Sequence, residues 1–124
     1  MTAAIQTPPQ PPDPLDEGDL VWVDFDPARG REQSGFRPAI VVSPRLYNET
    51  RGTTIVCPIT RNLTPWPTKV FLPEGLAVDG AVLTELVRAV DREHRGFRKV
   101  GTAPPDVLRE VRLKLKAVLG MEGL

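Results

Sequence analysis

The chain has 124 residues, 40% of them apolar, with 16 Lys and Arg balancing 16 Asp and Glu, which is enough for one domain around one core. No run of about 18 apolar residues is present to span a membrane, and no basic stretch followed by an apolar one marks a secretion signal. Cys57 is the single cysteine, which excludes an internal disulfide and a multi-cysteine metal site and makes the cytoplasm the natural compartment.

Residues 1–16 hold Pro8, Pro9, Pro11, Pro12 and Pro14 and little that is apolar. Such a segment does not bury enough surface to offset its ordering entropy, so a disordered proline-rich tail is expected there, with the folded domain over 17–124. Order is expected from about Gly18. Residues 19–25 alternate and are rich in β-formers, predicting a strand that Asp26-Pro27 stops. Residues 28–35 carry Gly30, Gly35 and charge, and predict a loop. A second strand is expected over 37–43, with Pro38 at its start or on an edge. Pro44 opens a helical turn through Tyr47, and 48–52 reads as a turn.

A third strand is predicted over 53–59, with Cys57 buried in it and Pro58 near its end. Residues 61–67 are a polar, proline-containing loop and 68–72 a short strand. Asp79-Gly80 is a strong turn signal. Residues 81–90 begin as a strand and are ambiguous later, and 98–102 predict one more. The last segment is a clear helix: Thr102 or Asp106 is placed to cap it, and Pro104 and Pro105 suit its first turn. Val107, Leu108, Val111, Leu115, Val118 and Leu119 form one apolar stripe, and Gly120 stops the helix. Five or six short strands and a terminal helix predict a mainly β fold, a small antiparallel barrel closed by that helix.

Zero net charge hides an uneven distribution. Residues 1–27 carry Asp13, Asp16, Glu17, Asp19, Asp24 and Asp26 and no base. Arg29, Arg31, Arg37, Arg45, Arg51 and Arg61 follow, and then Arg88, Arg92, Arg95, Arg98 and Lys99. Arginine suits phosphate because its planar fork donates two parallel hydrogen bonds. The loop after the first strand is the most loaded part of the chain: its glycines let the backbone approach a ligand, Glu32 is placed to take a proton, and Arg37 to stabilise a phosphate anion. His94 is the only histidine, so a His–His acid–base pair within one chain is excluded, and no His or Cys cluster accompanies Asp24 and Asp26 to hold a metal.

The run from Gly18 to Pro27 resembles the opening strand of the MazF/PemK toxins. The run Gly30-Arg31-Glu32-Gln33-Ser34-Gly35-Phe36-Arg37-Pro38-Ala39-Ile40-Val41-Val42-Ser43 is similar to that family's G-x-E-Q-x-G-x-R-P-A-V-V-x-S signature. Tyr47-Asn48, Pro58-Ile59-Thr60, Asp79-Gly80 and Val100-Gly101-Thr102 match as well, so the resemblance runs from about Gly18 to Gly120. It implies an SH3-like β-barrel (MazF/PemK/CcdB-like), a homodimer, and cleavage of single-stranded RNA at sites of a few bases without metal or other cofactor. The implied partner is a cognate antitoxin whose disordered C-terminal tail folds onto the toxin, and the implied outcome is inhibition of translation and growth. Residue by residue, it implies that Arg37 and Thr60 hold the scissile phosphate and that Glu32 takes part in cleavage. Glu85 matches a carboxylate that some members use. Leu86 stands where the family often has Gln.

RNA carries its own nucleophile in the 2′-hydroxyl, so an enzyme has to deprotonate it, align it with phosphorus and stabilise the added charge. Arg37 and Thr60 fit the last role; Glu32 is either the base or the group that orients Arg37. Unpaired bases are read by stacking on aromatic or arginine planes. Phe36, Arg61 and Trp66 are candidates, with Arg31, Gln33 and Glu85 as further substrate contacts. The rival expectation is a non-catalytic barrel that grips a protein such as a topoisomerase, which would have no need of Glu32, Arg37 and Thr60 together.

Overall fold

The structure is a computed structural model that describes residues 14–25, 35–91, 96–121 and 123. Its strands are β1 (Asp19–Asp24), β2 (Phe36–Val41), β3 (Thr53–Thr60), β4 (Lys69–Phe71), β5 (Ala81–Leu83), β6 (Arg88–Asp91) and β7 (Phe97–Thr102). Its helices are α1 (Arg45–Arg51) and α2 (Pro105–Val118). All pairings are antiparallel, in the order β4-β5-β3-β2-β1-β7, with β6 joined to β3 off this path. The sequence predicted five or six strands. The extra one arises because residues 81–90 divide into β5, a single 3-10 turn (Thr84–Leu86) and β6. Among the described residues no ladder joins β4 to β7, so the sheet is open where a barrel would close.

β3 organises the sheet by changing partners along one edge. Residues 53–56 pair with β6, and Ile59 and Thr60 pair with β5. On its other edge residues 56–58 pair with β2. Pro58, which has no N–H to give to a ladder, falls in the gap between the β6 and β5 pairings. A proline is tolerated inside a sheet where a ladder is interrupted.

Alternation sorts the side chains into two cores. Leu20, Ile40 and Cys57 lie side by side across β1, β2 and β3, fully buried, and pack with Val70 and Val82 against Val107 and Val111 of α2. Successive residues of a strand face opposite ways, so Val21, Val23, Ala39, Val41 and Val56 form a second core on the other face with Leu15, Phe25 and Val90. Burial pushes the Cys57 thiol up to about 12, as desolvation of a thiolate requires.

Two corrections concern helix boundaries. α1 runs on through Arg51 and absorbs most of the expected turn at 48–52; Gly52, at φ 74°, ends it. The cause is Asn48, which is buried because its side chain is fully engaged. Its amide donates to the Leu15 carbonyl (2.6 Å) and the Ser43 carbonyl (3.1 Å), and its oxygen accepts from the Ser43 hydroxyl (2.5 Å). The Ser43 oxygen in turn accepts from the Ile55 N–H at 2.9 Å. The fold thus grips the chain ahead of Gly18, with Leu15 buried.

Neither Thr102 nor Asp106 caps α2: Pro104 stands at the N-cap position without a side-chain bond, and Pro105 is the first helical residue. Its end follows the expectation. The Gly120 N–H reaches the Ala117 carbonyl (3.1 Å) and the Met121 N–H the Lys116 carbonyl (2.7 Å), the double closure that a left-handed glycine permits. The apolar stripe is buried only toward its start; Val118 and Leu119 are exposed. Among the described residues no helix is long and apolar enough to cross a membrane.

Candidate active site

The break in the edge of β3 makes a cleft. Between β6 and β5 the chain spans the gap through the 3-10 turn, leaving a hollow of about 430 Å³ lined by Phe25, Arg37, Pro58, Ile59, Thr60, Leu83, Leu86 and Arg88. Arg37 faces it because β2 alternates: Ala39 is buried in the second core, and Arg37, two residues earlier on the same face, lies opposite Val23 of β1. The β2–β3 register sets Ala39 opposite Pro58. Continued by two residues, it sets Arg37 across from Thr60.

Thr60 is held from two sides. Its hydroxyl oxygen accepts the Asn62 N–H at 3.1 Å, which leaves its own O–H to donate to a ligand. Behind it, Gly80 has φ 130°, and a Cβ placed there would stand 2.2 Å from the Thr60 carbonyl oxygen. The Asp79-Gly80 signal therefore marks a close approach of two backbones as well as a turn.

Residues 61–67 are all exposed, yet the loop is tied down. The Lys69 ammonium donates to the carbonyls of Asn62 (2.6 Å) and Thr64 (2.7 Å), and the Asn62 side chain accepts the Thr64 N–H (2.9 Å). Glu85, in the 3-10 turn beside Leu86, accepts from the Trp66 indole N–H at 3.3 Å and from the Thr68 hydroxyl at 2.8 Å.

The charged side chains among the described residues that line the cleft are Arg37 and Arg88. Among the described residues no carboxylate pairs with Arg37 or Arg88. The Arg88 guanidinium carbon lies 5.0 Å over the centre of the Phe25 ring, within the range of a cation–π contact. Two arginines and a hydroxyl with its proton left to donate suit anionic groups such as phosphate.

The sequence-predicted residues separate clearly. Arg37 and Thr60 line one cleft. Glu85 and Trp66 meet each other near it, with Glu85 in the 3-10 turn that interrupts the stretch 81–90, which was expected to begin as a strand. Arg61 follows Thr60 but points into solvent, 4.0 Å from Asp79, a pair too exposed to hold either residue. Phe36 is not part of the cleft: strand alternation puts it on the opposite face from Arg37, in a separate groove with Trp22 and Phe97. Arg31, Glu32, Gln33 and His94 lie outside the described residues. Arg88 was read only as one of a basic cluster; its place in the cleft follows from β6, and the signal was its spacing of two from the buried Val90.

Comparison with known proteins fits this arrangement. Residues 16–119 match the family model described as PemK-like, MazF-like toxin of type II toxin–antitoxin systems. The chain is 40% identical over 105 residues to the endoribonuclease toxin MazF of Escherichia coli, covering 85% of this chain and 94% of that protein. The crystal structure of MazF from Deinococcus radiodurans superposes with a TM-score of 0.79 at 45% identity, over 86% of this chain and 97% of the other. A MazE–MazF structure from the same organism gives a TM-score of 0.77 at 41% identity, over 87% and 97%. A family match over most of its length, with relatives this similar, means that the chain belongs to the PemK-like, MazF-like toxins of type II toxin–antitoxin systems.

Proposed function

We propose that this protein is an endoribonuclease that cuts single-stranded RNA, mRNA included, at short specific sequences, without metal, through the 2′-hydroxyl of its substrate. The observation that carries the reading is the pairing of Arg37 and Thr60 at one cleft whose arginines lack carboxylate partners among the described residues. Its chemistry is compact. The 2′-hydroxyl gives its proton to a base as its oxygen bonds to phosphorus. The bond to the 5′-oxygen breaks and that oxygen takes a proton from water or from the protonated base, so the products are a 2′,3′-cyclic phosphate and a 5′-hydroxyl. Arg37 and the Thr60 hydroxyl stabilise the charge that develops on the phosphoryl oxygens. Glu32 is the base or the residue that orients Arg37; a positioned base contributes about 10²–10⁴-fold.

The same reading makes the protein the toxin of a pair, a homodimer whose cytoplasmic action stops translation and growth until an antitoxin tail covers the cleft. A partly open SH3-like barrel is the matching architecture. It is supported by Val70 of β4 and Val100 of β7, from opposite ends of the sheet path, packing on one core.

The test is cleavage of a long unstructured RNA in EDTA beside a DNA of the same sequence. Discrete RNA fragments with 5′-hydroxyl ends, and intact DNA, are expected. Intact RNA across varied sequences, from folded protein free of antitoxin, overturns the proposal in favour of a protein-gripping module.

A further inference from the structure

Among the described residues that line the cleft, Arg88 is the strong phosphate-binding group that no part of the reaction scheme uses. It lies on β6, opposite Val56 of β3, whereas Arg37 lies across from Thr60, four residues further along the same strand. The two arginines therefore enter the cleft from opposite edges of β3, displaced along it. At about 3.4 Å per residue, that displacement is on the order of 13 Å along the strand, longer than one phosphate group is wide. Their backbone positions are thus set apart along the strand while both side chains line the same hollow.

Several features fit Arg88 for binding rather than for structure. It is exposed. Among the described residues no carboxylate neutralises it, and the contact it does make is with the face of Phe25, a ring itself 7% exposed and fixed in the second core. A ring face orients a guanidinium without removing its charge, and an arginine held this way loses less entropy when a phosphate arrives.

Resting on the ribonuclease reading, we propose that Arg88, steadied by Phe25, binds a second backbone phosphate of the RNA, further along the strand from the one that Arg37 and Thr60 hold. Arg88 is then a substrate-binding residue that sets how the strand lies along the cleft. It leaves base identity to the loops, because a phosphate contact carries position and no sequence.

Salt dependence separates this role from a structural one. The probe is a labelled 2′-O-methyl oligoribonucleotide of mixed sequence, which cannot be cut, titrated with the full chain at several salt concentrations. For single strands each phosphate contact contributes about 0.7 to the slope of log affinity against log salt. Arg88→Ala is expected to flatten the slope by about that amount and to weaken binding about tenfold. Arg88→Lys should keep the slope and recover part of the affinity. Arg109→Ala, which removes the same charge from the exposed side of α2, should leave the slope unchanged. In cleavage assays the Arg88→Ala loss should fall on KM more than on kcat.

An unchanged slope in Arg88→Ala, with only a lower melting temperature, overturns the proposal, and so does an equal flattening in Arg109→Ala. Wild-type protein that binds the probe with the predicted Arg88 dependence but cuts no RNA defeats the ribonuclease reading and leaves the phosphate contact standing. Wild-type protein that cuts RNA but shows no Arg88-dependent binding of the probe overturns the phosphate contact and leaves the ribonuclease reading standing.

Discussion

Arg37 and Thr60 line one cleft, and the β2–β3 register that puts Ala39 opposite Pro58 carries them to facing positions at the end of the strand pair. On the ribonuclease reading, donors so placed act on charge that develops between them. Arg37→Ala is expected to lower kcat about 10²–10³-fold, with a circular dichroism spectrum like that of wild type. Arg37→Lys should recover little, because an ammonium does not reproduce the planar fork. Thr60→Ser should stay near wild type while Thr60→Val loses activity. A Thr60→Val enzyme at full rate would remove the hydroxyl from the scheme.

Gly80 holds Thr60 in place from behind. Because a Cβ there would stand 2.2 Å from the Thr60 carbonyl oxygen, at a φ of 130°, Gly80→Ala must displace the end of β3. The expected cost is about 2 kcal/mol or more in urea unfolding. Activity should fall further than stability alone explains under conditions where the variant remains folded.

Asn48 fills a buried site in which every hydrogen bond is made. Asn48→Ala leaves the Leu15 and Ser43 carbonyls without that donor, at an expected cost of about 3 kcal/mol. The residues before β1 should also come loose, which limited proteolysis near Leu15 would detect as faster cutting than in wild type.

Cys57 should be inert in the folded protein. With its thiol pushed from 9.0 to about 12 by burial, the folded state keeps the proton that the unfolded chain releases. This contribution to stability is complete below pH 9 and is lost as pH rises from there toward about 12. A disulfide-exchange reagent at pH 8 should react only as fast as the protein unfolds. Rapid labelling of native protein would mean that the β3 core opens readily.

The two hydrogen bonds that Glu85 accepts make it the tether of Trp66. In a Trp22→Phe background, Glu85→Ala should raise acrylamide quenching of Trp66 fluorescence, and Glu85→Gln should give an intermediate value. If Trp66 stacks on an unpaired base, Glu85→Ala also broadens the set of sites cut in RNA. An unchanged set of sites would assign Trp66 to loop packing alone.

Much of the fold was legible because its signals are local. Strand alternation placed β1, β2 and β3 to within about two residues, and the apolar stripe with Gly120 placed α2. The Arg37–Thr60 pair came from a family resemblance, and the strand alternation and register account for it. The misreadings are those in which distant contacts override local preference. Asn48 reads as a turn residue until Leu15 and Ser43 supply its partners. Phe36 and Arg37 are neighbours in sequence, but the pleat sends them to opposite faces. Arg88 gained a role only when β3 was seen to exchange one neighbour for another. No pattern confined to residues 81–90 contains that exchange.

The notch at Pro58 has an evolutionary consequence. The cleft needs no excavation of either core, since it exists wherever two short strands share one edge of a longer one. Residues 61–67, which rise from its border, are exposed throughout and belong to neither core. Substitutions at such positions usually change stability by less than about 0.5 kcal/mol. The border of this cleft is therefore free to diversify while the sheet beneath it stays as it is, so that new recognition preferences arise without passing through unstable intermediates.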